Sequence, residues 1–253
     1  MLQVVIPDSF CELSNCQILG AFIPPNLHHL SADIQYLNEE EILRSKQFRF
    51  EIDRSRFVIG RNLVRLGIGK IAGQNPQDVQ ISVEHGRPFC KGTKDAIEFS
   101  ISHSGEWVCV AFSTRPIGFD IEQIRKIHDM DAVARRVMTE IEYQNYNKLH
   151  GSPKTHAFFN LWSRKEAVMK LTHLGFKLSP ETLQSDIDHR SESTIWFDKK
   201  QISILSDTIN STVFWPESSN RYRWSCAQYE DQFSGSPRLH AAHLCQTGDF
   251  TFD

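Results

Sequence analysis

The alternation of apolar and polar positions predicts three consecutive strands in the middle of the chain. Apolar and polar residues alternate over 99–104, and a short turn separates this run from an apolar run over 107–112. A third alternating run follows over 117–122. Because side chains two residues apart in a strand share one face, Asp120 and Glu122 lie side by side on its polar face. The pattern therefore predicts a strand that presents two neighbouring carboxylates.

Apolar residues at near-helical spacing predict helices on both sides of these strands. Asn38 followed by three glutamates is typical of a helix start, and we expect this helix to reach Phe50. A second helix is predicted over about 53–73 and a third over about 130–138. A long helix is predicted over 152–175, which a Ser-Pro pair opens and a glycine closes.

Shorter segments predict further strands, separated by turns rich in Ser, Asp, Asn and Pro. The run 86–89 is predicted to be a turn. Two successive sets of helices followed by strands favour an α+β protein with duplicated halves. We therefore expect two domains, 1–113 and 114–253. The further predicted strands lie at 2–6, 79–83, 194–197, 201–205, 211–215 and 221–229.

The composition is that of an ordinary soluble globular protein, with 40% hydrophobic and 23% charged residues. A net charge of −3 over 253 residues gives no basic field for a nucleic-acid partner. No apolar run approaches the ~18 residues of a membrane span, and no export signal is visible. The six cysteines are scattered, which fits a reducing compartment. We therefore expect a cytoplasmic monomer without a nucleic-acid or membrane partner.

The carboxylate pair on the third strand is a candidate metal site. The α-carbons of Asp120 and Glu122 lie about 6.6 Å apart in an extended strand, so their ionised groups repel unless a cation or water intervenes. A hard divalent ion with oxygen ligands, Mg²⁺ or Mn²⁺, would relieve this repulsion. The alternative is a half-buried strand with a solvated polar face.

A third acid lies on the long helix. Glu166 shares a stripe of this helix with Trp162 and Met169, so its carboxylate is expected to be partly buried. Burying an unpaired carboxylate is unfavourable, whereas coordination to a cation removes most of that penalty. A structural ion pair with Lys170, one turn later, is the alternative.

Basic residues occur earlier in the chain. Arg56 lies in the predicted first turn of the second helix, where a cation is mildly unfavourable unless an anion binds there. Arg87, on the turn predicted over 86–89, offers another cation to whatever lies nearby. Considered alone, each arginine is also compatible with a solvated face, and His103 with a satisfied core histidine.

Four sequence blocks resemble the Sfp-type 4′-phosphopantetheinyl transferases. Together with the helix that contains Arg56, they cover roughly residues 40–175. A single block carries little information, whereas four in the right order and spacing are specific. The blocks are Gly86-Arg87-Pro88-Phe89, Ile101-Ser102-His103-Ser104-Gly105, Gly118-Phe119-Asp120-Ile121-Glu122 and Leu161-Trp162-Ser163-Arg164-Lys165-Glu166.

The resemblance implies a fold and a reaction. The fold would be a pseudo-dimer of two similar α+β halves, with coenzyme A and Mg²⁺ in the cleft between them. Domain 1–113 would contact the phosphates of coenzyme A, and domain 114–253 would carry the metal acids and the Lys-Glu helix. The reaction would move 4′-phosphopantetheine from coenzyme A to a serine of an apo acyl or peptidyl carrier protein, releasing adenosine 3′,5′-bisphosphate.

The resemblance also implies roles for individual residues. Glu166 is the candidate base, directly or through a water on the metal, with Lys170 assisting at the phosphate. Glu142 matches an additional acid of the family, although Glu140 lies close enough to compete for that place. The implied metal ligands are Asp120, Glu122 and Glu166. The implied coenzyme A contacts are Arg44, Lys46, Arg56, Arg87, Ser102, His103 and Lys170.

The chain departs from the family pattern at a few positions. Phe119 is bulkier than the small aliphatic residue usual before the first metal acid, Arg87 replaces the more frequent lysine, and 171–176 lacks one common glycine. Two other functions remain open. A metal-dependent phosphohydrolase acting on a nucleotide or on the pyrophosphate of coenzyme A could use the same acids, and a non-catalytic module could bind carrier proteins.

Overall fold

A computed structural model describes residues 2–5, 16–27, 32–84, 87–91, 97–187, 192–210, 220–229 and 238–246. The chain forms two compact units, Met1–Thr114 together with Pro237–Asp253, and Arg115–Ser236. Helices and sheets are present in both units, so the α+β class is confirmed. None of the helices in these ranges combines the length and the hydropathy that a membrane crossing requires.

Among the described residues, the first unit contains two α-helices and most of the strands. Five strands form one sheet in the order β1-β11-β2-β6-β5, in which β11 runs parallel to β2 and the other pairs are antiparallel. Strands β3 and β4 pair separately. The elements are β1 (Leu2–Val5), β2 (Gln17–Phe22), α1 (Glu39–Ser45), α2 (Glu51–Ala72), β3 (Gln80–Glu84), β4 (Arg87–Lys91), β5 (Glu98–Ser104), β6 (Trp107–Ser113) and β11 (Arg238–Gln246).

The core of the first unit lies between α2 and its sheet. Val58, Leu63 and Ile68 of α2 belong to one buried apolar cluster with Val110 and Phe112 of β6. The ends of these helices follow the sequence signals. A capping box between the side chains and backbones of residues 38 and 41 starts α1, and a left-handed glycine at position 73 ends α2.

The second unit packs its long helix on an antiparallel sheet. Four strands pair in the order β7-β10-β9-β8, and α5 packs against β7 and β10. Two shorter helices, α3 and α4, contribute apolar side chains to a cluster with the first half of α5. The elements are β7 (Gly118–Ile124), α3 (Met130–Val137), α4 (Glu140–Tyr146), α5 (Gly151–Leu171), β8 (Glu192–Phe197), β9 (Lys200–Asn210) and β10 (Arg221–Tyr229).

Several predicted boundaries differ from the structure. The first helix ends at Ser45 and does not reach Phe50, because Phe50 is instead the extended residue before α2. The long helix ends at Leu171, well before Gly175, which lies in a separate 3₁₀ turn. The predicted turn over 86–89 contains the start of β4, since Arg87 already pairs with β3.

Other elements were not predicted at all. The strand β2 and the helix α4 lie in stretches to which no element was assigned, and β11 follows Phe233, where the pattern predicted nothing. Because β11 pairs with β1 and β2, residues from Pro237 onward group with the first unit, whereas the sequence placed all of 114–253 in the second domain. The strand predicted at 211–215 lies outside the described residues.

The helix α5 approaches the strand β7 very closely at Gly118. A Cβ atom built there would lie 1.9 Å from the carbonyl oxygen of Ala167 and 2.5 Å from the amide nitrogen of Leu171. Both atoms belong to the backbone of α5 and cannot rotate away. The glycine therefore lets α5 lie directly on β7.

We expect Gly118→Ala to lower the free energy of unfolding by about 3 kcal/mol, at the upper end of the usual overpacking penalty. Urea denaturation followed by circular dichroism measures this loss. Gly60→Ala is the control, because its Cβ would lie 3.4 Å from Ile101 and alanine favours the interior of α2. Equal stabilities of the two variants would contradict the close approach of α5 to β7.

Candidate active site

The strand β7 and the helix α5 bring three acids and one lysine together. Asp120 is almost completely buried, and Glu122 two residues later is half-buried. Glu166 and Lys170 follow one another by one turn on the face of α5 toward this strand, and both are half-buried. The acids that the sequence proposes as metal ligands are therefore neighbours in the structure.

The pKa of Glu166 reflects the proximity of these charged groups. Burial of its carboxyl raises its pKa to about 7. The ammonium of Lys170 opposes this rise, whereas the carboxylates of Asp120 and Glu122 add to it. A carboxyl whose pKa is raised by burial and by like charge is typical of functional sites.

Two hydrogen bonds hold the acids of the strand. The Nζ of Lys170 donates to Oδ1 of Asp120 at 2.7 Å, and the side chain of Asp120 is only 4% exposed. The indole Nε1 of Trp162 donates to Oε1 of Glu122 at 3.0 Å. Both donors come from α5, so one helix fixes both carboxylates of β7.

The donor chemistry fits a hard divalent cation. In the described part of the chain, no three His, Cys, Asp or Glu side chains are already arranged to hold a metal ion. The three acids nevertheless offer oxygen ligands, and the charges of Asp120 and Glu122 raise the pKa of Glu166. A divalent ion bound by them would offset this mutual repulsion. Mg²⁺ and Mn²⁺ both suit such ligands.

Glu142, a predicted catalytic acid, lies in a different environment. Its Oε2 accepts hydrogen bonds from the Nζ of Lys165 at 2.5 Å and from the amide of Thr139 at 2.7 Å. Its Oε1 accepts from the amide of Ser185 at 2.7 Å. The residue is 2% exposed. These contacts tie the start of α4 to α5 and to the segment after α5, which is a structural role.

Lys165 completes this buried arrangement. Besides Glu142, its Nζ donates to the carbonyl oxygens of Val137 at 2.7 Å and Pro180 at 3.0 Å. Desolvation by burial lowers the pKa of Lys165, and the charge of Glu142 opposes that shift. The adjacent residues Lys165 and Glu166 therefore differ in role, since one anchors the helix and the other faces the acidic cluster.

Two residues that were predicted to bind coenzyme A, Arg56 and His103, line a cavity of about 280 Å³ in the first unit. Arg56 of α2 donates from its Nε to the carbonyl oxygen of Gly105 at 3.0 Å and from Nη1 to Asp53 at 2.9 Å. His103 of β5 is exposed at the same cavity. From the sequence, Arg56 was expected in the first turn of the second helix. Because α2 begins at Glu51, Arg56 instead lies beyond that turn.

The cavity also contains residues that sequence reasoning did not single out as ligand contacts. The rings of Phe48 and Phe57 lie 5.4 Å apart, and the guanidinium of Arg61 lies 5.2 Å from the centre of the Phe57 ring. Arg61 is paired with Glu41 at 3.2 Å, and so is Arg65 at 2.7 Å. From the sequence, Arg61 is only one of three basic residues, with Arg54 and Arg65, that share a stripe of the predicted second helix.

The remaining predicted contacts are more scattered. Arg44 is exposed, donates to Gln47 at 2.8 Å and lies over the ring of Phe48. Lys46 is exposed at the end of α1. Ser102 is buried in β5 opposite a residue of β6. Arg87 begins β4, but its side chain lies outside the described part of the structure.

Two family models match consecutive parts of the chain. The model of the 4′-phosphopantetheinyl transferase superfamily matches residues 116–227. The model of the N-terminal part of 4′-phosphopantetheinyl transferase matches residues 24–115. The two matches meet at the boundary between the compact units.

Curated relatives have the same description. A 4′-phosphopantetheinyl transferase of Bacillus subtilis is 33% identical over 143 residues, which cover 56% of this chain and 62% of the relative. The transferase ffp of Bacillus subtilis is 31% identical over 165 residues, covering 64% of this chain and 72% of the relative. The transferase psf-1 of Bacillus pumilus is 30% identical, covering 63% and 68%. The match spans less than two thirds of the first of these relatives.

We expect Lys165→Met to lower the free energy of unfolding by about 3–5 kcal/mol, because it leaves the carboxylate of Glu142 buried without its cation. Adding Glu142→Gln to this variant should restore part of the loss. Chemical denaturation measures both effects.

The control for this prediction is Lys154→Met. Lys154 pairs with Asp131 at 2.7 Å, but the side chain of Asp131 is 60% exposed, so the pair is expected to contribute only about 0.2–1 kcal/mol. Similar losses in the two lysine variants would show that the contacts of Lys165 are not a buried anchor.

Proposed function

The chain belongs to the 4′-phosphopantetheinyl transferase family, and we propose that it transfers 4′-phosphopantetheine from coenzyme A to a serine of an apo acyl or peptidyl carrier protein. The observation that carries this proposal is the cluster of Asp120, Glu122 and Glu166 with Lys170. Transfer of a phosphoryl group needs negative charge to be neutralised while a hydroxyl is deprotonated, and this cluster offers groups for both tasks.

The metal ion is assigned to the three acids. Asp120, Glu122 and Glu166 would hold Mg²⁺, and Mn²⁺ suits the same oxygen ligands. A bound divalent ion supplies positive charge that stabilises the phosphoryl oxygens during transfer. Lys170, which donates to Asp120, is assigned to the phosphates of coenzyme A as a second source of positive charge.

Glu166 is assigned as the base for the carrier serine. Its carboxylate lies half-buried in the acidic cluster, one turn from Lys170, where it can accept a proton from the serine hydroxyl directly or through a water. The serine oxygen forms a bond to the phosphorus that carries pantetheine, and the bond from that phosphorus to the bridging pyrophosphate oxygen breaks. The serine proton passes to Glu166. The released phosphate remains on adenosine 3′,5′-bisphosphate.

Glu142 is the less suitable base. Both of its carboxylate oxygens already accept hydrogen bonds within the buried arrangement around Lys165. Removing a proton from an outside hydroxyl would require at least one of these bonds to break, at the expense of a buried charge pair. Proton transfer to Glu166 would not require the buried pair of Glu142 and Lys165 to break.

The cavity of the first unit is assigned to the nucleotide end of coenzyme A. Phe48 and Phe57 offer aromatic surface for the adenine ring. Arg56, Arg61 and His103 offer donors for its phosphates. The expectation that two similar halves form one active-site cleft stays a prediction, as does the monomeric state.

We expect purified protein, coenzyme A and Mg²⁺ to add phosphopantetheine to apo carrier proteins, as read by intact mass spectrometry. Asp120→Ala and Glu166→Ala should each reduce the rate by at least about 100-fold, because each removes a group that stabilises or creates charge in the reaction. Asp207→Ala is the control, since this acid is exposed on β9.

The same assay separates the alternative functions. Cleavage of coenzyme A without modification of the carrier would indicate a phosphohydrolase, and carrier binding without chemistry would indicate a binding module. Full activity of Asp120→Ala or Glu166→Ala would contradict the metal assignment. A panel of carriers from fatty-acid, polyketide and nonribosomal-peptide systems identifies the preferred partner.

We expect Arg56→Ala to weaken binding of adenosine 3′,5′-bisphosphate by about 10–100-fold, because a hydrogen bond to a charged group contributes about 1.5–3 kcal/mol. Isothermal titration calorimetry measures the affinity. Arg54→Ala is the matched control, since Arg54 lies on the same helix and pairs only at long range, 3.7 Å, with Glu51. Equal affinities of the two variants would remove the cavity from the proposed binding site.

A further inference from the structure

We propose that Trp162 is a positioning residue that orients Glu122 for the divalent ion by donating its indole N–H to that carboxylate. The inference rests on the proposed function, since it takes Glu122 to be a metal ligand. The hydrogen bond from Nε1 to Oε1 measures 3.0 Å and joins α5 to β7. Trp162 lies one turn before Glu166, so the same helix supplies one ligand and orients another.

The indole ring is held on its apolar side. Trp162 is half-buried and packs against the apolar cluster that α3, α4 and the first half of α5 form. Ile124 of β7, Met130 of α3 and Tyr143 of α4 pack against this cluster too. An indole side chain has only two rotatable bonds, so packing of the ring also fixes the direction of its N–H.

The position of this donor relative to Glu122 is fixed by the backbone. The approach of α5 to β7 at Gly118 leaves no room for even a Cβ atom, so the backbones of the two elements are in direct contact there. Glu122 lies four residues later on the same strand. The indole N–H on α5 therefore meets the carboxylate of Glu122 across a closely packed helix–strand contact.

The neutrality of the donor distinguishes it from the other donor at this site. Lys170 donates to Asp120 as an ammonium, which brings positive charge of its own. An indole N–H is only a donor and carries no charge, so it orients a carboxylate without offsetting its charge. The hydrogen bond from Trp162 thus adds no positive charge to the cluster. Partners of this kind typically change metal affinity about 10–100-fold when they are removed.

The test measures metal binding without coenzyme A or carrier protein. Trp162→Phe keeps an aromatic ring against the apolar cluster but removes the N–H. We expect it to weaken Mn²⁺ binding about 10–100-fold, measured by electron paramagnetic resonance of the free ion, while the unfolding midpoint in urea stays close to that of the unchanged protein. Trp196→Phe is the control, because Trp196 is 64% exposed on β8.

The outcomes separate this inference from the proposed function. If the unchanged protein does not bind Mn²⁺, the metal site of the proposed function fails. If it binds Mn²⁺ and Trp162→Phe binds within threefold of the same affinity, the metal site stands and the positioning role of Trp162 is overturned.

A second measurement does not need the tryptophan variant to fold. The chain has five tryptophans, and each gives one indole N–H resonance in a ¹⁵N-labelled sample. We expect Glu122→Gln to displace one of these resonances and Mg²⁺ to displace the same one most in the unchanged protein. Asp207→Asn should leave it in place. If Glu122→Gln displaces none, or Mg²⁺ displaces only others, the proposal is overturned.

Discussion

The backbone contact between α5 and β7 is the constraint on which the acidic cluster depends. Gly118 permits that contact, since any larger residue would meet the carbonyl oxygen of Ala167. Two residues after the glycine comes Asp120, and one residue before Ala167 comes Glu166. The same approach that packs the core therefore brings carboxylates from two elements within reach of one another.

Buried charges serve two purposes in this protein. Glu142 with Lys165, and Glu41 with Arg61 and Arg65, are paired across elements and hold helices in place. The charges around Glu166 are arranged differently, because the carboxylates of Asp120 and Glu122 add to the rise of its pKa, which the ammonium of Lys170 opposes. Removing one partner of a buried pair leaves an uncompensated charge and is destabilising, whereas neighbouring carboxylates repel one another unless a cation lies between them.

Local sequence signals predicted the elements whose starts, ends or alternation are encoded in neighbouring residues. The capping box before α1, the glycine after α2 and the alternation in β5 to β7 are all encoded within a few residues. The family resemblance then supplied the roles of Asp120, Glu122 and Glu166, which spacing alone left open between a metal site and solvated surface. Their proximity follows from packing at Gly118, which no local pattern encodes. Trp162 was visible as a member of one family block and as a neighbour of Glu166 on one helical stripe, and neither signal indicated its hydrogen bond to Glu122.

Long-range pairing explains what the sequence did not predict. The strand β11 runs parallel to β2 and separates it from β1, so the first described strand pairs with the last among the described strands. The second unit lies between them in the chain. During synthesis, β1 and β2 therefore emerge long before β11. Until β11 is made, the backbone groups on the edges of β1 and β2 that pair with it have no strand to bind. The five-stranded sheet of the first unit is thus completed only after the second unit has been synthesised.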